Sequence, residues 1–380
     1  MRRIPITTAL ATMALCSVAA SPAIAGEAEQ GVNPATPNPL RGERLFVDTD
    51  FHPAWGSYRS LLQRGRTDDA NDVFQIAREP NFRWVGYTFE KNPRRFVRLI
   101  YEKIDRLGQS GAVPAITLFN HPKPKHQNPN QFGQRPDAKD RYTPPKGSNG
   151  RALDFVRAFA AAIGDRRMVI AFEPDALGSY YLLSRKGKRS RTAYLREALK
   201  ILSSLPNATI YAEGGASDWR SARQTARQLR SIGVHRVRGF MLNVTHFDTT
   251  ARNIAHGLRI SRRLRGKPFV ISTHANGKGP LHYRKRFRGR NRRVNLWCNP
   301  RNSALGERPQ TSTSNPRVDA YLWIGRAGYS SGSCKGVRSQ RGGTRSGTWW
   351  ERRGILLAER SPARFDTVDE PLRYPTTGDE

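Results

Sequence analysis

The sequence predicts an α/β protein with a barrel-like (β/α) fold, its strands parallel. Short apolar runs alternate with amphipathic, helix-like segments along most of the chain. Alternation repeated this often gives parallel strands joined by crossover helices. The runs also end in polar groups, as in barrels that place their chemistry at the C-terminal ends of the strands. No GxGxxG or GxxxxGK[ST] follows any run, which argues against a nucleotide-binding sheet.

Taken in order, residues 1–25 read as a secretory signal peptide. Arg2 and Arg3 open a basic region, Ala9 to Ala20 is mostly apolar, and Ala23-Ile24-Ala25 is a cleavage signal. That apolar core is too short to span a bilayer, and no later segment is suited to it. Residues 26–41 form a polar leader. A single domain is expected over 42–361, followed by a tail over 362–380. Strands are predicted at "RLFVDTD" (44–50), "RWVGYTF" (83–89), "PAITLFN" (114–120), "MVIAFEPD" (168–175) and "ATIYAEGG" (208–215). "GFMLNVTH" (239–246), "FVISTHA" (269–275) and "AYLWIGR" (320–326) follow. Between them, Asn92-Pro93 starts a helix whose apolar stripe runs through Phe96, Leu99, Ile100, Ile104 and Leu107 to a stop at Gly108. Leu153, Val156, Phe159, Ala160 and Ile163 make a second stripe, stopped by Gly164. Two polar insertions, 121–149 and 276–296, are placed to wall a cleft.

Cys16 leaves with the signal, so Cys298 and Cys334 remain: one disulfide, or two buried thiols. The formal charge is +34 at pH 7. Such a field favours polyanions, although an arginine-rich solvated surface accounts for it equally. The densest basic stretches, 185–191 and 278–293, are read as loops near the site.

The chemistry centres on "MVIAFEPDALG", where a strand that reads as buried ends on Glu173 and Asp175. Desolvation keeps a carboxylic acid protonated and makes it a general acid, and such an acid beside tryptophans is the equipment of glycoside cleavage. His121, His246 and His274 fall at strand ends, but no H-x-H or HExxH spacing occurs, so no metal and no cofactor is expected. No GxSxG elbow appears either.

Several stretches carry a resemblance in order along the chain. They include "IAREPNFRWVG", "AFAAAIGDRRMVIAFEPDALG", "LPNATIYAEGGASDW", "GFMLNVTHFDTTARNIAHG" and "LWCNPRNSALGERPQTST". The chain resembles glycoside hydrolase family 6, the inverting cellulases. The resemblance implies a distorted, seven-stranded, TIM-barrel-like β/α barrel and cleavage of β-1,4-glucan with inversion. It makes Asp175 the general acid, and Trp219 and Trp297 the stacking residues. Asn243 and Asn276 become polar groups of the cleft, and Cys298–Cys334 a disulfide. Glu173 and Glu213 are expected as catalytic support.

The departures from the family pattern are Phe119 for a tyrosine and Lys125 for the aspartate that supports the acid. Gly325, Tyr329 and Ser331 replace Lys-x-x-x-Glu-x-Asp, and Ala216 replaces a histidine. Glu213, or a carboxylate of the 121–149 loop such as Asp137 or Asp140, is then the expected base. The expected protein is a secreted monomer acting on polysaccharide, with no nucleic-acid partner. The alternatives are a catalytically impaired glycan-binding relative, or a glycosidase for acidic polysaccharide.

Overall fold

The computed structural model describes residues 37–88, 90–122, 141–287, 290–334 and 339–362. The signal-peptide reading, Lys125, Asp137, Asp140 and most of the tail lie outside the described residues. Helices α1 (Pro53–Gln63) and α2 (Thr67–Ala77) precede the first strand, β1 (Arg83–Val85). Then come α3 (Pro93–Arg106), β2 (Ala115–Leu118), α4 (Ser148–Ile163), β3 (Met168–Phe172), α5 (Arg185–Leu202) and β4 (Ala208–Glu213). The chain continues through α6 (Ala222–Ser231), β5 (Gly239–Leu242), α7 (Thr250–Arg263), β6 (Phe269–Ser272) and a hairpin of β7 (Leu281–Phe287) and β8 (Arg290–Leu296). It closes with β9 (Val318–Leu322) and α8 (Glu351–Glu359).

 The last of these, α8, spans Glu351–Glu359 and packs on α1 and α2.

Strands β1-β2-β3-β4-β5-β6-β9 form one parallel sheet in that order, curled into a distorted barrel with helices outside. Alternation along each strand explains why both faces are apolar. Val169 and Ala171 of β3 point into the barrel with Tyr211, Met241, Val270 and Leu322. Met168, Ile170 and Phe172 point out, against the helix residues Phe159, Tyr194 and Leu199. Strands covered on both sides read as continuous hydrophobic runs, which is how they appear in the sequence. β1 and β9 are not paired in the sheet; beside them lie the single bridge Asn81–Trp323 and the hydrogen bond from Trp84 Nε1 to the Ile324 carbonyl, 2.8 Å. The barrel therefore has a seam there, and side chains fill it.

The helix boundaries follow local chemistry. Asn92 caps α3 by accepting from the Arg95 N–H, and Gly108 leaves the helix at φ 62°. Gly164 ends α4 at φ 59°. Segment 44–50 is not a strand: only Leu45 bridges to Val113. Val47 is held instead by the Gln109 side chain, and Asp48 turns the chain by accepting from the Phe51 N–H. The basic stretch 185–191 is not a loop but the start of α5. Ser184 caps it through the Gly187 N–H, and Lys and Arg are good helix formers. Most of 278–293 is the β7–β8 hairpin.

Cys298 and Cys334 are joined, with Cα atoms 5.9 Å apart and a sequence separation of 36. The bond ties the end of the hairpin to the segment after β9, and in the chain-entropy treatment it stabilises by roughly 3–4 kcal/mol.

Candidate active site

A cleft of about 410 Å³ lies at the C-terminal ends of the strands and runs beside the β1–β9 seam. A depression of similar size, about 400 Å³, lies at the opposite end of the barrel, lined by Pro37, Arg167, Pro206 and Arg238 among others. Size does not separate the two. Chemistry does: Arg238 is consumed in a buried pair with Asp319, which also accepts from Tyr211. The C-terminal cleft instead holds a carboxylate between aromatic rings.

That carboxylate is Asp175. Glu173 and Asp175 both adopt left-handed backbone, φ 58° and 67°, around Pro174. Such conformations cost on the order of 1–2 kcal/mol for a residue with a side chain and persist only where the surroundings fix them. Glu173 supplies the fixing. It is fully buried and accepts from the N–H groups of Asn120 and His121, from the Tyr194 hydroxyl at 2.6 Å, and contacts His121 Nδ1 at 2.6 Å. Its carboxylate thus pins the end of β3 to the end of β2. The two acids have separate work: Glu173 holds the turn, and Asp175 faces the cleft. Thr245, after β5, donates to Asp175 Oδ1 at 2.6 Å and orients it.

Glu213 ends β4 behind this turn. Its Oε1 accepts from the Gly215 N–H at 2.6 Å, and Oε2 from the Leu177 N–H at 3.1 Å. Burial, and then the charge of Asp175, push its carboxyl up to about 8. The folded protein thus keeps a proton here that the unfolded chain releases near the ordinary carboxylate value. Stability from this group is complete below that value and is lost as pH rises toward 8. Glu213→Gln should remove the loss. Relative to wild type, the variant should gain roughly 3–5 kcal/mol between pH 4.5 and 8.5. Denaturant unfolding of both proteins at several pH values checks this, and a difference that does not change with pH would contradict it.

Beyond Asp175, Trp219 and His246 stack with centroids 4.5 Å apart and planes 20° apart. His246 Nδ1 meets Asp218 Oδ1 at 2.8 Å, and Asn295 of β8 donates to the other Asp218 oxygen. Burial disfavours the imidazolium, but the hydrogen bond and charge of Asp218 outweigh it, so the His246 pKa is raised. His246 lines the cleft, as do Trp219 and Trp297, both half-buried.

The opposite wall carries Trp84, Phe119, Gly325, Arg326, Tyr329 and Ser331. Phe119 meets Trp84 edge-on at 4.8 Å. A Cβ on Gly325 would sit 2.2 Å from His274 Cε1 and 2.5 Å from the Val244 carbonyl. No side chain fits there while His274 keeps its place. His274 is buried and neutral, its pKa lowered to about 3 by burial and then by Arg353 and Arg326.

Two sequence expectations change. Asn243 and Asn276 are buried and do not line the cleft. The Asn243 amide donates to the carbonyls of Asp248 and Ser272, and that of Asn276 to the Asp248 carbonyl and Thr250 Oγ1. They brace the loop after β5, because buried amides must find partners. Glu173 and Glu213 are likewise absent from the lining. Sequence reading missed Asp218, Arg326 and Trp84. Asp218 stands directly before Trp219 and could have been found there; Arg326 is lost among 65 Lys and Arg. Among the described residues, no group of three or more His, Cys, Asp or Glu gathers as metal ligands would.

A curled parallel sheet with a carboxylate and stacked aromatic rings at its C-terminal rim defines an enzyme-like barrel with a carbohydrate-type cleft. The chain belongs to the family described as Glycosyl hydrolases family 6, which matches residues 40–361. It is 35% identical over 325 residues to Endoglucanase A of Cellulomonas fimi, covering 86% of this chain and 62% of that protein. It is 33% identical over 187 residues to Endoglucanase 1 of Streptomyces halstedii, covering 48% and 53%. The chain thus spans about half to three-fifths of the length of these curated relatives. Among solved structures, it is similar to the endoglucanase Cel6 from Mycobacterium tuberculosis in complex with methyl-cellobiosyl-4-deoxy-4-thio-β-D-cellobioside. The TM-score is 0.69 at 30% identity, with 85% of this chain and 99% of that one covered. Endoglucanase CEL6B from Humicola insolens shares the fold, with a TM-score of 0.66 at 19% identity and coverage of 85% and 98%.

Proposed function

We propose that this protein is an exported glycosidase that hydrolyses β-1,4-linked glycan chains with inversion, Asp175 serving as general acid. One observation carries the reading. Asp175, oriented by Thr245, lines the same cleft as Trp219 and Trp297. Aromatic faces take up the apolar faces of sugar rings, and the carboxyl protonates the leaving oxygen. The charge of Asp175 adds to burial in keeping the proton on Glu213. For the base side, His246 is the best placed group. Asp218 holds its Nδ1, leaving Nε2 to take a proton from water while the water oxygen bonds to the anomeric carbon and the glycosidic C–O bond breaks. Retained hydrogen bonds to backbone make Glu213 unsuitable for that task.

The family membership and the endoglucanase relatives support the substrate class, and the signal-peptide reading of residues 1–25 supports export. The test is release of reducing ends from β-1,4-glycans, with the anomer of the new end followed by NMR. Release of the α-anomer is expected. A second reading, a glycan-binding protein without turnover, is favoured by the wall of Gly325, Tyr329 and Ser331, which offers no carboxylate. Binding without any release would select it.

A further inference from the structure

Arg326 lines the cleft, and also the smaller pocket beside it that includes Asp48 and Glu79. Its guanidinium lies over the Tyr329 ring at 4.2 Å and over Trp84 at 5.1 Å. No carboxylate among the described residues pairs with it, and its buried Nε has no hydrogen-bond partner. Its backbone is left-handed, φ 63°, immediately after Gly325. Stacking on aromatic faces returns less than the desolvation of a buried cation costs. Stacking also leaves the N–H edge of the planar group free, and that edge matches a carboxylate in two parallel hydrogen bonds.

The rest of the lining points the same way. Asp175 is the only carboxylate among the described residues that line the cleft, which include Arg326, Arg353 and His246. Arg353 differs from Arg326 in being held by the Pro300 carbonyl and Gln340. The positive potential is felt by two neighbours: Arg326 contributes, after burial, to holding both His52 and His274 down to about 3. Neutral sugar chains give such a cation nothing to neutralise it.

We propose that Arg326 is a substrate subsite for a carboxylate, so that the preferred glycan is a β-1,4-linked chain carrying uronic-acid units. This deepens the hydrolase reading and rests on it for the polymer's linkage. Trp84 and Tyr329 pack against the guanidinium, at the β1–β9 side of the cleft. A uronate at this wall places its carboxylate on Arg326 while neighbouring rings lie along the tryptophans toward Asp175.

The test compares two cello-oligosaccharides of equal length, one neutral and one oxidised to glucuronate units, binding to protein with Asp175→Asn to prevent turnover. Calorimetry is run at about 20 and 200 mM salt, a range over which screening changes strongly. The oxidised oligomer should bind at least ~10-fold more tightly at low salt, as expected of a charge-assisted bidentate contact. Adding Arg326→Gln should abolish that preference, weakening the oxidised oligomer at least ~10-fold more than the neutral one, and Arg326→Lys should restore it only in part. Thermal stability of Arg326→Gln should equal or exceed that of its parent, because an unpaired buried cation is removed. Equal binding of the two oligomers, or a preference that survives Arg326→Gln, would overturn the subsite. Hydrolysis of both oligomers by the wild-type chain is followed separately. Turnover of the neutral chain without any Arg326-dependent preference removes the subsite and keeps the hydrolase reading; Arg326-dependent binding without turnover does the reverse.

Discussion

Asp175→Asn should lower the rate on an unactivated glycan by at least ~10²-fold, the lower range for loss of a general acid. The substitution is clean because the amide oxygen can still accept from Thr245 Oγ1, which donates to Asp175 Oδ1 at 2.6 Å. Turn geometry is also preserved, since it is fixed by Glu173 rather than by Asp175. What disappears is the proton. An aryl glycoside whose leaving group needs no protonation should therefore retain most of its rate in the variant. Parallel kinetics on both substrates give the answer, and near-normal turnover of the unactivated glycan would remove Asp175 from the mechanism. Equal losses on the two substrates would point to a distorted cleft.

Glu173→Leu should have the largest effect on stability, about 3–5 kcal/mol, the usual cost of removing one side of a buried charged network. The N–H groups of Asn120 and His121 and the Tyr194 hydroxyl all donate to this carboxylate in a region closed to water. An apolar replacement of similar size leaves each donor unsatisfied. It also frees the end of β2, which carries Phe119 into the cleft wall. Denaturant unfolding should show the loss directly, and a change below about 1 kcal/mol would mean that other contacts hold the turn. Even at permissive temperature, the variant should bind glycan less well because the β2 and β3 ends no longer share an anchor.

Much of the architecture was legible because period and burial leave a direct trace. Strands β2, β3, β5 and β6 are apolar on both faces, so they stand out between amphipathic helices, and Gly108 and Gly164 mark helix ends through backbone conformations that favour glycine. Segment 44–50 misled for the same reason. Its Leu45, Phe46 and Val47 are as apolar as a strand, but the partners that end its pairing, Gln109 and Asp48, act through side chains. The acid at the end of β3 was also legible, since a carboxyl after an uninterrupted apolar run can sit only at the rim.

The sequence by itself determined the order of the seven strands of the main sheet, the position of the Glu173-Pro174-Asp175 turn, and the cysteine pair available for a bond. Tertiary structure alone decided how polar groups divide between bracing and chemistry. Glu173, Asn243 and Asn276 stand at strand ends just as Asp175 does, yet the Glu173 carboxylate and the amide N–H groups of both asparagines are held by buried backbone and side chains. Asp218, 28 residues before His246, holds that ring, and His246 and the distant Arg326 come to one cleft only as the sheet curls. Periodicity reports which face of an element is buried, a property of near neighbours in the chain. Whether a polar atom inside that burial already has a partner depends on residues far away in sequence, and so is settled only when the barrel curls.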